Sequence, residues 1–322
     1  MDDFIVDEEE SEQFVHFPKP SYLSAAADDE DDPRAPKPSI NNTIDMISAN
    51  LDNYPMLVQI MMQRGLLRKK QECRKCYRMM HLRRRKTSYE WRCRTRDKRG
   101  DCSSCSIKCG SWFENTKLPF KIVFNFLKMH CRNVTTAHII NQLKISTHTL
   151  NEVRKIVFDL SSRIHMKYQP IGGKNKEVYM ELITVGPKPT TPNAAIQRYK
   201  VLAGQEVGTK KCFAWILPDE KPATIERIRC QHTCPESNVT MVVTVNEQVS
   251  YASQAATFLD ESTLTVGSSP PDMFFLNLRK HIPEAFTVDH HTVQKFLNDQ
   301  VVRRVEGIHF LETCIRELMT YT

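Results

Sequence analysis

No stretch of this sequence approaches the ~20 consecutive apolar residues that a membrane-spanning helix needs. Its first ten residues, MDDFIVDEEE, are acidic and lack the basic region and apolar segment of a signal or transit peptide. No phosphate loop, dinucleotide fingerprint or nucleophile elbow is present, which removes the commonest sequence signs of nucleotide, redox-cofactor and serine-hydrolase chemistry. No internal repeat is visible, which argues against a solenoid or propeller. These absences predict a soluble intracellular chain with no membrane contact, in a compartment where clustered cysteines hold metal more often than they pair with each other.

What is present is charge, unevenly placed. The formal net charge of +7 conceals an acidic start, where residues 1–37 hold twelve acids against Lys19, Arg34 and Lys37. Between Arg64 and Gly100, by contrast, sixteen Lys or Arg face only Glu72, Glu90 and Asp97. A cationic block of this size suits a polyanion, although a solvated surface carrying a nuclear-import run such as Arg83-Arg84-Arg85-Lys86 would read the same way. At 322 residues the chain can build two or three compact units.

Along the chain, residues 1–40 mix acidic runs with prolines and cannot bury enough apolar surface to order themselves. Residues 40–67 predict two short helices, the second opening near Pro55 and closing at Gly65, with Met56, Leu57, Ile60 and Met61 on its core face. After the cysteine-rich region, KLPFKIVFNFLKMHCR predicts a helix, a second runs from Thr136 to Lys144, and a third opens at Ser146 as its cap. Leu150, Val153, Val157 and Leu160 form the apolar stripe of the third, while Thr147, His148, Asn151 and Arg154 share another face. A short break before the last helix makes this a helix-turn-helix pattern, which a plain helical bundle would also produce. From Val178 the period shifts to strands at YMELITV, RYKVLAGQEV, KCFAWILP and NVTMVVTVN, with ATIERIRC and VSYASQAATFL as helical pieces and a mostly helical end from Thr287.

The cysteines carry the clearest chemistry. Eleven occur in the chain, and Cys73-Arg-Lys-Cys76 lies on one side of a strand-like Tyr89-Glu90-Trp91 with Cys93, Cys102, Cys105 and Cys109 on the other. Two cysteine hooks closed by short hairpins supply four tetrahedral thiolates without needing much core, which is the zinc-ribbon solution. Cys73, Cys76, Cys93 and Cys102 are the expected ligands, Cys105 is the alternative fourth, and Cys109 is surplus. Four thiolates leave no open position for a substrate, so the Zn2+ is structural. Cys230, His232 and Cys234 lack a second hook and are read as chance neighbours, and His290-His291 as ordinary surface.

These residues resemble a family, the Merlin-type DDE transposases and their bacterial insertion-sequence relatives. The match opens at Gly65-Leu66-Leu67 before the first hook and continues through Trp91-Arg92-Cys93. It is most specific in the run from Ser106 to Pro119, SIKCGSWFENTKLP, close to the family's S-[IV]-[RK]-x-G-S-W-F-x-x-[ST]-K-L-P, and includes Ile145-Ser146 before Thr149. It covers about residues 52–163 well and the remainder weakly. The resemblance implies an RNase H-like second half in which three carboxylates seat two divalent metals for cutting and joining DNA phosphodiesters, chemistry that needs anionic oxygen at each corner. In this chain the first position falls on Glu181 where the family has Asp. The second falls on Asn246, with Tyr251 matching, and the third belongs between His290 and Asn298, where no acid stands. Glu247, Asp289 and Asp299 are the substitutes if the register differs.

The sequence therefore predicts a multidomain α+β chain. An acidic tail occupies 1–40, a helical segment 41–68, a zinc ribbon 69–117, a helix-turn-helix 118–168, and a degenerate RNase H-like mixed α/β domain 176–322. Its expected role is a nuclear, chromatin-associated DNA-binding protein derived from a transposase and lacking nuclease activity. Double-stranded DNA is the expected partner, met by Arg83, Arg84, Arg85, Lys86, Arg92 and Arg94 at the phosphates and by Thr147, His148, Asn151 and Arg154 in the major groove. Chromatin or transcription proteins are further partners, and a homo-oligomer is compatible with the sequence. The rival reading is an active transposase or nuclease using Mg2+. A third makes the ribbon and tail a protein–protein adaptor.

Overall fold

The computed structural model describes residues 40–85, 88–94, 96–97, 100–186, 198–245, 248–253, 278 and 289–321. The acidic tail through residue 39, Lys86, Asn246 and Glu247 lie outside them. The protein is mixed α/β, and its contacts gather into two compact units, Met1–Lys121 with Ile315–Thr322, and Ile122–Cys314.

The first unit opens with α1 (Ile40–Ala49) and α2 (Tyr54–Gln63). Asn53 caps α2 by accepting from the Met56 N–H at 3.3 Å, and Pro55 sits in the first turn, where its missing donor costs nothing. The helix closes in a Schellman motif, the Leu66 N–H donating to the Met61 carbonyl at 2.8 Å and the Gly65 N–H to that of Met62 at 3.2 Å. Gly65 takes φ +72° there, a conformation that glycine adopts without steric cost. Leu57, Ile60 and Met61 are buried as their spacing predicts, joined by Val58, while Met56 stays partly exposed. Strands β1 (His81–Arg84), β2 (Tyr89–Arg92) and β5 (Ser104–Ser106) form an antiparallel sheet in the order β1-β2-β5. The small hairpin β3 (Arg96–Asp97) with β4 (Gly100–Asp101) lies between β2 and β5 in sequence. Tyr54 of α2 stacks on Tyr89 at 5.8 Å and on Phe120 at 6.1 Å, and Phe113 meets Phe120 edge-on at 5.1 Å. These rings join helix and sheet into one core.

In the second unit α3 (Phe120–Cys131), α4 (Thr136–Leu143) and α5 (Thr147–His165) precede a five-stranded sheet. Lys144 turns left-handed at φ 52° after α4, and Ser146 caps α5 by accepting from the Thr149 N–H at 3.1 Å. The strands are β6 (Glu177–Val185), β7 (Tyr199–Glu206), β8 (Cys212–Ile216), β9 (Asn238–Val245) and β10 (Gln248–Ser253), in the order β10-β9-β6-β7-β8. β6 runs antiparallel to β7 and parallel to β9, the crossover being made by α6 (Pro222–His232). Ile183 and Val185 of β6 pack with Phe158 of α5 and with Val293, Leu297 and Val301 of α7 (His290–Glu306). On the other face Val178 and Met180 pack with Ile225 and Ile228 of α6. Helices on both faces explain why β6 reads as a nearly unbroken apolar run. A 3₁₀ turn at Gly307–His309 leads into α8 (Phe310–Met319).

Two sequence expectations change. VSYAS was expected to be helical, yet Gln248–Ser253 pairs antiparallel with β9 across the whole of β10. The backbone groups of an edge strand draw an alternating Val249–Tyr251 segment into pairing more strongly than Ala252 favours a helix. The buried arc of α5 is also wider than the predicted stripe, adding Phe158, Ser161 and Ile164. Its second half belongs to the core of the sheet, so residues 122–168 and the sheet share one unit.

A buried charge ties the helices of this unit together. Asp299 of α7 is fully buried, with His130 Nε2 at 3.1 and 3.2 Å from its two oxygens, the Ser161 hydroxyl donating at 2.7 Å and Arg303 at 3.7 Å. Burial alone would raise the Asp299 pKa, but His130, Arg303 and Ser161 outweigh it and keep the group ionised. Burial holds His130 below the ordinary imidazole value against the pull of Asp299, so its neutral ring donates from Nε2 to the carboxylate. Asp299→Ala should therefore cost about 3–5 kcal/mol in urea unfolding, since Arg303 loses its counter-charge in a dry site. The fold should also be acid-sensitive, because burial holds His165 and His232 down to about 4. In the unfolded chain histidine titrates near 6.5, so that state takes up protons first as pH drops and stability declines from about pH 6.5 towards 4. The depressed Asp299 adds to the loss at still lower pH. Melting temperatures recorded from pH 7 to 4 should fall through that window, and a level profile would contradict the assignment.

Candidate metal centre

Cys73 and Cys76 occupy a tight loop between two short extended segments joined by a Glu72–Met79 bridge. The Tyr77 N–H donates to the Cys73 carbonyl and the Cys73 N–H to the Arg78 carbonyl, both at 2.9 Å, and the Lys75 N–H points at Cys73 Sγ from 3.4 Å. The second pair comes from the ladder of β2 and β5. Cys93 follows β2 and Cys102 precedes β5, and the Cys93 N–H donates to the Ser103 carbonyl at 3.2 Å. The hairpin thus turns two cysteines nine residues apart towards one point.

All four sulfurs lie within 4.8 Å of one another, with Cys73–Cys102 at 3.7 Å and Cys76–Cys93 at 3.5 Å. Zinc held tetrahedrally by thiolates at ~2.3 Å separates its sulfurs by roughly 3.8 Å, whereas a disulfide brings them to about 2.05 Å. The spacing fits a metal ion of zinc's size, and all four thiols are unpaired by disulfides. Ser103 Oγ lies 3.0 Å from Cys73 Sγ, and that hydrogen bond, against the effect of burial, brings Cys73 down to about 5. Burial and the neighbouring sulfurs push Cys102 up to about 12. One thiolate is thus ready at neutral pH, and Cys102 must surrender its proton to an incoming cation.

Cys105 stands outside this group. It pairs in register with Trp91, and burial followed by the adjacent Cys109 pushes it up to about 11. Cys109 approaches Glu114 at 3.6 Å and Arg74 at 3.8 Å. Gly110 adopts φ +71°, and a Cβ there would strike the Arg68 guanidinium at 2.3 Å. Its carbonyl accepts from Arg68 Nε at 3.0 Å, and its N–H donates to Glu114 at 2.9 Å. Lys108 then closes the segment, donating to the carbonyls of Thr116 at 2.9 Å and Leu118 at 2.6 Å while sitting 5.1 Å above the Phe120 ring. The SIKCGSWFENTKLP run therefore has a structural task, which is to bind the first cysteine loop to the end of β5 and the start of α3.

The residues expected to meet DNA differ in exposure and in the contacts they make. Arg84 and Arg94 are exposed, Arg83 and Arg92 half-buried. Arg85 is committed to the buried carboxylate of Glu90 at 2.6 Å. On α5, Thr147 and His148 are exposed and Asn151 half-buried. Arg154 turns back to donate to Thr136 of α4 at 2.9 Å, so it braces the two helices rather than projecting from them.

The positions expected for carboxylates are also resolved in part. Glu181 lies buried on β6, in register with Val242 of β9, which ends one residue before Asn246. Asp289 caps α7, accepting from the Thr292 N–H at 2.8 Å and its hydroxyl at 2.9 Å. Asp299 is enclosed in the polar node described above. On α7 Gln294 holds the Ala214 carbonyl and the Ile216 N–H of β8, both at 2.9 Å, and Asn298 at 2.9 Å, while Asn298 donates to Ser162 at 3.1 Å. Cys230, His232 and Cys234 diverge: the first meets Glu226, the second stacks on Phe213 at 4.9 Å, and the third approaches the Pro170 carbonyl. Among the described residues, the four ribbon cysteines form the one group of three or more His, Cys, Asp or Glu placed to hold a metal ion.

No family model, curated protein or solved structure matches the chain. No helix among the described residues is long and apolar enough to cross a membrane.

Sequence reasoning missed Ser103, which no spacing rule marks as a partner of Cys73, and the Asp299 node, whose members stand up to 169 residues apart. The metal centre predicts a clean separation of variants. Cys102→Ser should lose the bound metal and the ordered ribbon, whereas Cys105→Ser should keep one equivalent per chain by elemental analysis. Affinity should weaken from pH 8 to pH 6, because thiol protons compete with the cation.

Proposed function

We propose that this chain is a nuclear, chromatin-associated DNA-binding protein derived from a transposase, in which a structural zinc ion organises a cationic platform and the RNase H-like half serves as a scaffold without nuclease chemistry. The observation that carries the DNA-binding reading is the surface around the four cysteines. Among the described residues from 64 to 94, Arg68, Lys70, Lys75, Arg78, Arg84 and Arg94 are among the exposed cations, and Glu72 is the one exposed acid. Such a field attracts phosphate irrespective of sequence. The exposed first turn of α5, with Thr147 and His148, is suited to the major groove, where base edges can be read.

The second half supports the transposase origin through where the three family positions fall. Glu181 sits on the central strand, Asn246 directly follows its parallel neighbour β9, and α7 covers the face to which Tyr179 and Ile183 of β6 belong. The same geometry favours a lost activity. Amides at Gln294 and Asn298 offer N–H donors on the stretch of α7 where an acid is expected, and both are spent on backbone and serine partners. Asp299 has its oxygens occupied by two donors, His130 and Ser161, with the Arg303 guanidinium at 3.7 Å, and no exposed surface. Carboxylates seating Mg2+ need free oxygen and water access.

Two measurements test this reading. In a salt-titrated binding assay on duplex DNA, Arg84→Gln with Arg94→Gln should lower affinity for every sequence and shrink the salt slope by about two. His148→Ala or Asn151→Ala should instead alter sequence preference, and indistinguishable effects would refute the division of labour. Metal-dependent cleavage of labelled duplex that vanishes in Glu181→Ala would establish the nuclease reading in its place.

A further inference from the structure

Beside the first cysteine loop lies an open groove of about 950 Å³, lined by Arg68, Lys69, Lys70, Arg74, Tyr77 and Met79 among others. Its one acid is Glu72. At its rim Tyr77 is 79% exposed and Met79 46% exposed, an aromatic and a thioether side chain with no core to join. Tyr77 also takes φ +58°, fixed by the hydrogen bond from its N–H to the Cys73 carbonyl. That position favours glycine, because a bulky side chain meets steric resistance in the left-handed region. Folding alone gives no reason for tyrosine here, since its ring packs nothing away from water. An exposed ring held at a costly backbone angle, on the edge of a cationic groove, is open to an external partner.

We infer that this groove binds a single-stranded stretch of nucleic acid, with phosphates against Lys70 and Arg74 and an unpaired base stacked on Tyr77. The aromatic ring selects the single strand: paired bases keep their faces inside the duplex stack, whereas an unpaired base offers its face to a ring. Met79 extends the apolar edge beside it. A peptide of acidic residues could meet the cations but would leave the ring unused. The inference rests on the nucleic-acid reading proposed above and extends it from duplex to unpaired strand.

The test uses the full-length, zinc-loaded protein with a fluorescein-labelled single-stranded 20-nucleotide DNA and its blunt duplex, followed by anisotropy at constant salt. Tyr77→Gly should weaken single-strand binding about tenfold while leaving duplex affinity unchanged, stacking on one aromatic being commonly worth that factor or more. Because glycine suits the backbone angle, zinc content and melting temperature should stay level or rise, which separates lost stacking from lost folding. Tyr77→Trp should restore the affinity, and Lys70→Gln should reduce the salt slope by about one. Single-strand affinity unmoved by Tyr77→Gly, with duplex binding intact, overturns this inference alone. Wild-type protein that binds neither DNA overturns the proposed function along with it.

Discussion

Four sulfur atoms converging within 4.8 Å take the place of a core in the ribbon. Among the described residues from Gln71 to Ser106 the buried apolar side chains besides cysteine are Met80, Tyr89 and Trp91, too few to offset the ordering entropy of such a segment. A metal ion held by the two hooks would remove that deficit, since the free energy of binding becomes free energy of folding. The loop that presents Cys73 and Cys76 also sets the direction of Arg74, Lys75, Tyr77 and Arg78, and the ladder that delivers Cys93 and Cys102 carries Arg84 and Arg94. A cationic surface on a flexible chain would repel itself apart; on a closed hairpin it is held as a shape.

The second unit is stabilised in the opposite manner, by apolar layers on both faces of a sheet with one charge sealed among its helices. Asp299 binds α3, α5 and α7 to one point. Its oxygens already accept from His130 and Ser161 and face Arg303, and no path for water reaches them. Gln294 and Asn298 complete the pattern on the same helix. Gln294 satisfies backbone groups of the edge strand β8, which would otherwise be left to pair with another chain. Polar side chains on this helix hold the fold together.

The helices and most strands were legible because their signals are local. Pro55 and Gly65 bracket α2, Ser146 opens α5, and runs of β-branched and aromatic residues mark β6 to β9. Of the metal centre, the first hook was plain from its spacing, while the choice between Cys102 and Cys105 depended on the ladder register of β2 and β5. A shift of one residue in a strand turns a side chain to the other face, and nothing in the hairpin's composition announces which register forms. Segment 248–253 was misread for a related reason: alanine and glutamine state a preference, but the vacant edge of β9 decides. Arg85, expected at the phosphates, and Arg154, expected in the major groove, turned out to serve Glu90 and Thr136, because charge is visible in a sequence and the partner that consumes it is not.

Composition and spacing alone determined the charge asymmetry, the hooks, the helical caps and the period change near Val178, since each depends on residues within a few positions of one another. Tertiary structure decided which fourth cysteine joins the cluster, which cations are exposed, and that Asp299 is a strut beyond reach of solvent. It also joined the three-helix segment to the sheet and placed an exposed tyrosine over a basic groove. Those outcomes depend on desolvation and on contacts between residues far apart in the chain, and both exist only once the chain has closed on itself.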